Sequence, residues 1–288
     1  MTDRLKRGLI RSHSPTHYMM GSRIFERERP LIMAHKGDSA AVPENTMLAM
    51  RGAIEIGVDL LETDLRLTKD KEFVLFHDED LVRTTGQEGR ICDYTLEDLL
   101  NIDAGYTFTP DGGNTFPFRG KGLKLFTLRD AFSEFPDMRF NLDIKDQDPE
   151  APLLLAKEIR NYSREESVIV ASFNDPQLER FRKALPVVAT SAHPGEVKRF
   201  VIGLKLHVLR LLVRNPTYRA FQVPIKSGKT TVVDARFVQA AHDRNIAVHV
   251  WTINDAPTMK WLVNLDVDGI FTDEPDLLRS VLQESGFL

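Results

Sequence analysis

From position 31 onward, short β-branched or apolar runs alternate with stretches in which apolar residues recur at helical spacing, the pattern of a parallel sheet with crossover helices. The strand-like runs are 31–35, 59–67, 73–77, 139–145, 168–173, 187–191, 220–224, 247–253 and 269–272. The helices between them carry start and stop signals. After Pro43, Met47, Met50, Ala53 and Ile54 keep helical spacing, and Gly57 stands where a left-handed C-cap is wanted. Thr95 with Asp98 and Thr127 with Asp130 read as N-cap boxes, and Asp234 and Asp255 as caps of the last helices.

Nine runs are one more than a closed eight-stranded α/β barrel holds. Only the turn at 68–71 separates the second run from the third, too short for a parallel crossover, so these two should form an antiparallel hairpin. The remaining eight predict an α/β fold, a TIM (β/α)8 barrel with an extra antiparallel hairpin strand after the second strand. Folding about 69–71 sets His77 opposite Thr63 and Asp64. Residues 31–288 read as a single barrel domain, and residues 1–30, charged and weakly periodic, as an arm or a helix closing the barrel floor. Two connections exceed ordinary loop length, 84–125 and 194–218; the first, rich in Gly, Pro and Phe, is expected to cover a barrel mouth.

Composition narrows the partners. At 42% hydrophobic and 28% charged residues the chain has ample material for a core, and a net charge of −4 supplies no overall positive field for nucleic acid. The lone Cys92 has no internal disulfide partner and reads as a small core residue. Arg4, Lys6, Arg7 and Arg11 make the N-terminus basic without a signal peptide's apolar stretch, and no run approaches the ~20 residues of a membrane span, so the expected location is cytoplasmic. The oligomeric state is not encoded in any feature of this kind.

The chemistry sits at strand ends. His35 ends the first run, Glu62 and Asp64 share one face of the second because side chains alternate with period two, and His77 ends the hairpin partner. Asp143 and Lys145 share a face of the fourth by the same rule. A lone Glu-x-Asp is usually a solvated edge and a lone histidine usually a satisfied surface or core residue. Barrel strands, however, are buried on both faces, and two of these carry paired charges inside apolar runs. Buried carboxylates need a compensating cation, and three together suit a metal.

The stretches Ile32-Met-Ala-His-Lys-Gly37, Pro43-Glu-Asn-Thr46, Leu61-Glu-Thr-Asp-Leu65, Val74-Leu-Phe-His-Asp78, Asn141-Leu-Asp-Ile-Lys145, Val250-Trp-Thr-Ile-Asn254 and Asp268-Gly-Ile-Phe-Thr-Asp273 occur in this order and resemble the glycerophosphodiester phosphodiesterase family, with features of its lysophospholipase-D-like branch. The resemblance spans residues 31–280. It implies a TIM barrel that cleaves glycerophosphodiesters, such as glycerophosphocholine or glycerophosphoethanolamine, to glycerol 3-phosphate and an alcohol. It implies that His35 and His77 are catalytic, that Glu62, Asp64 and Asp143 bind the metal, and that Lys36, Glu44, Lys145, Phe173 and Trp251 face the substrate. Two positions depart from the family: Lys36 replaces an arginine, a point charge for a planar fork, and Asp143 replaces a longer glutamate.

Oxygen-only ligands select a hard cation, one Mg²⁺ or Ca²⁺. One histidine would take a proton from the nucleophile, water or the substrate's own hydroxyl, while the other protonates the departing alcohol. Gly228-Lys229-Thr230 is no phosphate loop, because position 223, where that motif needs Gly, is Val. The segment from Lys198 to Arg214 has ten apolar residues and, taken as one helix, gathers Arg199, His207, Arg210 and Arg214 on one side. It reads either as a barrel helix with a solvated basic face or as a peripheral membrane contact that would admit lysophospholipids. A barrel that binds phosphodiesters without cleaving them is the remaining alternative.

Overall fold

The computed structural model describes residues 23–288. Its strands are β1 (Leu31–His35), β2 (Leu60–Leu67), β3 (Phe73–Leu75), β4 (Arg139–Ile144), β5 (Val168–Ala171), β6 (Ala189–Thr190), β7 (Ala220–Val223), β8 (Lys226–Ser227), β9 (Thr230–Thr231), β10 (Ala247–Val250) and β11 (Gly269–Thr272). Eight of them run parallel in the order β6-β5-β4-β2-β1-β11-β10-β7. The barrel closes between β6 and β7 through a parallel bridge of Ser191 with Ala220, where Ala192 N donates to Ala220 O at 2.8 Å.

The supernumerary strand behaves as its short turn dictates. β3 pairs antiparallel with β2, Leu75 opposite Leu65 and Phe73 opposite Leu67. Phe76 N donates to Asp64 O at 3.0 Å, so the register carries His77 to the level of Thr63. The β8–β9 hairpin has no counterpart in the sequence reading.

Alternation along each strand divides the core in two. Ile32, Ala34, Leu61, Leu65, Leu142 and Val170 point outward into the layer beneath the helices. Leu31, Met33, Leu60, Ile169, Ala247 and Phe271 point into the lumen and form its apolar floor. Each fully buried Leu, Ile, Val, Met or Phe among them contributes about 1.5–3 kcal/mol. Ile24 and Phe25, in the single turn Arg23–Phe25, close that floor from below. The rest of the expected arm, residues 1–22, lies outside the described residues.

The helix signals hold. Thr46 Oγ1 accepts from Ala49 N at 3.2 Å to start Met47–Ile56, and Gly57 ends it at φ 87°. Thr95 with Asp98 and Thr127 with Asp130 form reciprocal capping boxes, and Asp234 and Asp255 cap their helices. Gly37 is required on two counts: its φ is +85°, and a Cβ there would lie 2.6 Å from the backbone carbon of Ala49.

Three expectations fail for local reasons. Cys92 is exposed, because Ile91 takes the buried position of its short turn. Residues 84–125 line no part of the lumen cavity. Ile91, Leu99, Ala104 and Leu125 instead cover Val74 and Phe76, apolar side chains on and just beyond the extra strand, in a satellite core. The segment 198–214 is not one helix: Pro194–Lys205 ends, His207 takes φ 58°, and a separate turn runs Leu209–Leu212, so its basic residues do not lie along the face of one helix.

Candidate active site

Above the apolar floor the inward positions turn polar, and the barrel opens at the C-terminal ends of its strands into a cavity of about 830 Å³. His35, Glu62, Asp64, His77, Asp143, Lys145, Phe173 and Trp251 all line it. Period-two spacing does most of this work, setting Glu62 and Asp64 of β2 beside Asn141 and Asp143 of β4, paired residue for residue.

Each histidine is held by a carboxylate at Nδ1. Asp273 Oδ1 lies 2.6 Å from His35 Nδ1, and Asp78 Oδ1 lies 2.7 Å from His77 Nδ1. This fixes ring orientation and leaves Nε2 as the nitrogen for exchange with a substrate. Asp273 is itself steadied by Ser39 Oγ at 2.9 Å and Asn254 Nδ2 at 2.6 Å. Burial works to raise the Asp273 pKa, but the bonds to His35, Asn254 and Ser39 prevail and hold it at about 2. Burial likewise opposes protonation of His35, yet Glu62 and Asp273 bring its pKa above the ordinary imidazole value.

The three carboxylates are buried, and their proton affinities diverge. Burial, then Asp64, pushes Glu62 up. Burial also pushes Asp143 up, with Lys145 only partly offsetting it. Asp64 is the acid of the group: against burial, Lys145 and Lys36 hold it below the usual range. Lys145 Nζ reaches Asp143 Oδ2 at 2.6 Å and Asp64 Oδ1 at 3.3 Å, and sits 5.2 Å from the Phe173 ring centre. Asn45, left-handed at φ 54°, donates to Asp64 Oδ2 at 3.2 Å and accepts from Thr63 Oγ1 at 2.7 Å.

The donor set suits a hard cation: three carboxylates against one ammonium, with Asp143 Oδ1 buried and without a hydrogen-bond partner. Their ligand atoms are nevertheless not gathered within 4.8 Å of one another. Among the described residues the trio that is so gathered, Glu179, His193 and Glu196, lies outside the cavity, where Arg182 bonds both glutamates at 2.9 Å.

Lys36 and Glu44, expected to face substrate, do not line the cavity. Lys36 Nζ bonds Glu44 Oε1 at 3.2 Å, and Arg83 grips both Glu44 oxygens at 2.6 and 2.8 Å while also bonding Asp78. The pair therefore belongs to a network behind His77. The Lys36 amide contributes differently, donating to Glu62 Oε2 at 3.1 Å.

Sequence reading missed the partners of the histidines and the polar middle of the lumen. Asp273 directly follows β11 at the end where chemistry gathers, and that position was its signal. Gln222 Nε2 donates to Asn141 Oδ1 at 2.6 Å across the lumen, both at inward positions of otherwise apolar strands. The remaining wall, Val197, Lys198, Val201, Ile202 and Lys205, comes from the helix Pro194–Lys205, where the period-two alternation of the strands does not apply.

The glycerophosphoryl diester phosphodiesterase family model matches residues 35–277. A glycerophosphodiester phosphodiesterase of Caldanaerobacter subterraneus subsp. tengcongensis is 32% identical over 265 residues, 90% of this chain and all of the relative. The lysophospholipase D GDPD1 of Homo sapiens is 26% identical over 279 residues, 87% of this chain and 85% of the relative. An Oleispira antarctica phosphodiesterase, solved with the product sn-glycerol-3-phosphate, superposes with a TM-score of 0.69 at 22% identity, covering 88% of this chain and 97% of that one. The chain belongs to the glycerophosphoryl diester phosphodiesterase family and is a phosphoric diester hydrolase.

Proposed function

We propose that this enzyme hydrolyses glycerophosphodiesters such as glycerophosphocholine or glycerophosphoethanolamine to glycerol 3-phosphate and an alcohol, with His35 and His77 exchanging protons across the cavity. The observation that carries this reading is the matched pair of histidines, each with Nδ1 held by a carboxylate, over one cavity floored by Lys145 and three carboxylates. The oxygen nucleophile bonds to phosphorus as the bond from phosphorus to the alcohol oxygen breaks. One histidine accepts the nucleophile's proton, and the other gives a proton to the departing oxygen, each step worth about 10²–10⁴-fold. Lys145 faces the phosphate oxygens, and Phe173 and Trp251, packed edge to face at 5.8 Å, wall the alcohol side.

Glu62, Asp64 and Asp143 would hold one divalent cation, Mg²⁺ or Ca²⁺, and the unpartnered Asp143 Oδ1 supports this assignment. When bound, such a cation stabilises charge developing on the phosphoryl oxygens. The nucleophile is taken to be the glycerol's own neighbouring hydroxyl, which gives a cyclic phosphate before water opens it.

A second reading has its own observation. The cavity's outer wall is apolar, built by Val197, Val201, Ile202 and Val232, and would accept the acyl chain of a lysophospholipid, the class named for the human relative. Choline release from glycerophosphocholine and from lysophosphatidylcholine, measured with Mg²⁺, Ca²⁺ or chelator, tests both. Cation-dependent release that falls at least about 10²-fold in His35→Ala and His77→Ala is expected. Release untouched by either substitution refutes the two-histidine assignment, and equal rates on a substrate lacking the 2-hydroxyl refute internal attack.

A further inference from the structure

Charge in this chain is unevenly placed. Between Glu196 and Asp234 run 37 residues without one carboxylate, carrying eight Lys and Arg, while the chain as a whole is −4, so the remainder carries −12. Within this stretch Lys198, Arg199, Lys205, Arg210 and Arg214 are exposed, and among the described residues none of the five forms an ion pair. Unpaired cations gathered on one side of a protein are a footprint for an anionic partner.

The same stretch exposes apolar surface. Of the thirteen large hydrophobic side chains exposed among the described residues, five lie between 202 and 212: Ile202, Leu206, Val208, Leu211 and Leu212. Leu206 and Leu211 are 65% and 63% exposed, although Phe200 of the same segment is fully buried against Phe221 and Phe237. Scattered exposed leucines need no explanation, but a cluster ringed by cations does. The bend at His207 produces it, turning Leu209 inward against Gly203 and leaving its neighbours outward.

This surface is continuous with the catalytic cavity. Val197, Lys198, Val201, Ile202 and Lys205 form one stripe of the helix Pro194–Lys205 and line the cavity wall, while Ser227 and Thr230 of the basic β8–β9 hairpin line it beside them. Phe173, 61% exposed, stands at the same mouth. Leucines within a ring of cations match an interfacial membrane anchor, with lysine stems lying along apolar surface and their ends among lipid headgroups. Residues 1–22 are a poor alternative cover, because they carry four Lys and Arg against a single acid.

We propose that the bend between the helices Pro194–Lys205 and Leu209–Leu212 docks on an anionic lipid bilayer, presenting the cavity mouth to phosphodiesters held in or released at that surface. The proposal rests on the reading of the cavity as a phosphodiesterase site, and vesicle binding tests it without turnover. The full chain is sedimented with vesicles of phosphatidylcholine alone and of phosphatidylcholine mixed with phosphatidylserine. Binding to the mixed vesicles, weakened by added salt, is expected. Arg210→Ser and Arg214→Ser should each weaken it about fivefold, and Leu206→Asn with Leu211→Asn should abolish it. These four residues lie outside the cavity lining, so each variant should keep full release of choline from water-soluble glycerophosphocholine, which also reports folding. Equal binding to both vesicle types, binding indifferent to the substitutions, or no binding overturns the proposal. So does a dimer in solution that Leu211→Asn dissolves, since the face would then serve a second copy. If vesicle binding follows expectation while no diester is cleaved, docking stands and the catalytic reading falls; if diesters are cleaved without vesicle binding, the catalytic reading stands and docking falls.

Discussion

Replacing His249 by leucine should make the protein markedly more resistant to acid. His249 lies on β10 in the middle of the lumen, fully enclosed, between Phe25 at 6.3 Å and Phe271 at 6.2 Å, and neither ring nitrogen has a hydrogen-bond partner. Burial lowers its pKa from 6.5 to about 4, so the folded protein keeps it neutral where the unfolded chain would protonate it. The unfolded state then binds the extra proton between these two values. Stability contributed through this group is complete above 6.5, falls as pH drops through the window, and is gone below about 4. At 1.36 kcal/mol per unit the window is worth about 3 kcal/mol. His249→Leu removes the titration and the two unsatisfied nitrogens, so the variant should match or exceed the parent at neutral pH, and its advantage should widen by about 3 kcal/mol near pH 4. Urea unfolding of both proteins across this range measures the difference directly, since all other titrating groups are shared. An advantage that stays constant or shrinks with acidification would refute the reasoning.

Asp273→Asn keeps the size of the His35 partner but removes its charge. It should cost about 10²–10⁴-fold in kcat with little change in KM, and move the His35 limb of the pH–rate profile to lower pH, because Asp273 helps raise that pKa. Arg83→Ala frees Glu44 and Asp78 behind His77 and should lower kcat about 10- to 100-fold while leaving the thermal midpoint nearly unchanged, as steady-state kinetics and a melting curve will tell. Gly37→Ala forces a Cβ against Ala49 at a left-handed φ and should destabilise by about 3 kcal/mol, seen as a drop of roughly 6–12 °C in Tm.

The eight barrel strands were legible because burial on both faces leaves dense apolar runs, and the extra strand because a five-residue connection, 68–72, permits only a hairpin. Glu62, Asp64, Asp143 and Lys145 stood out for the opposite reason, as charges where such runs should carry none. Asp273 and Asp78 were harder. They follow strand ends in irregular backbone, where no period marks direction; the strand-end position singles out Asp273, and the distances to His35 and His77 give both residues their roles. Lys36 and Glu44 were assigned by motif, yet they pair with each other, because opposite charges so close in space satisfy one another first. The role of 84–125 was misread, since composition says that a loop is long and apolar but not which apolar strand it must cover.

The inward and outward positions of β2 also bear on how the chain avoids folding wrongly. A slip of one residue would turn Glu62 and Asp64 into the greasy layer under the helices and expose Leu61 and Leu65 to the lumen. Both errors are costly and neither compensates the other. The residues that give this barrel its reaction therefore also serve as its alignment check: a misregistered strand is rejected by stranded charge before it can be rejected by loss of activity.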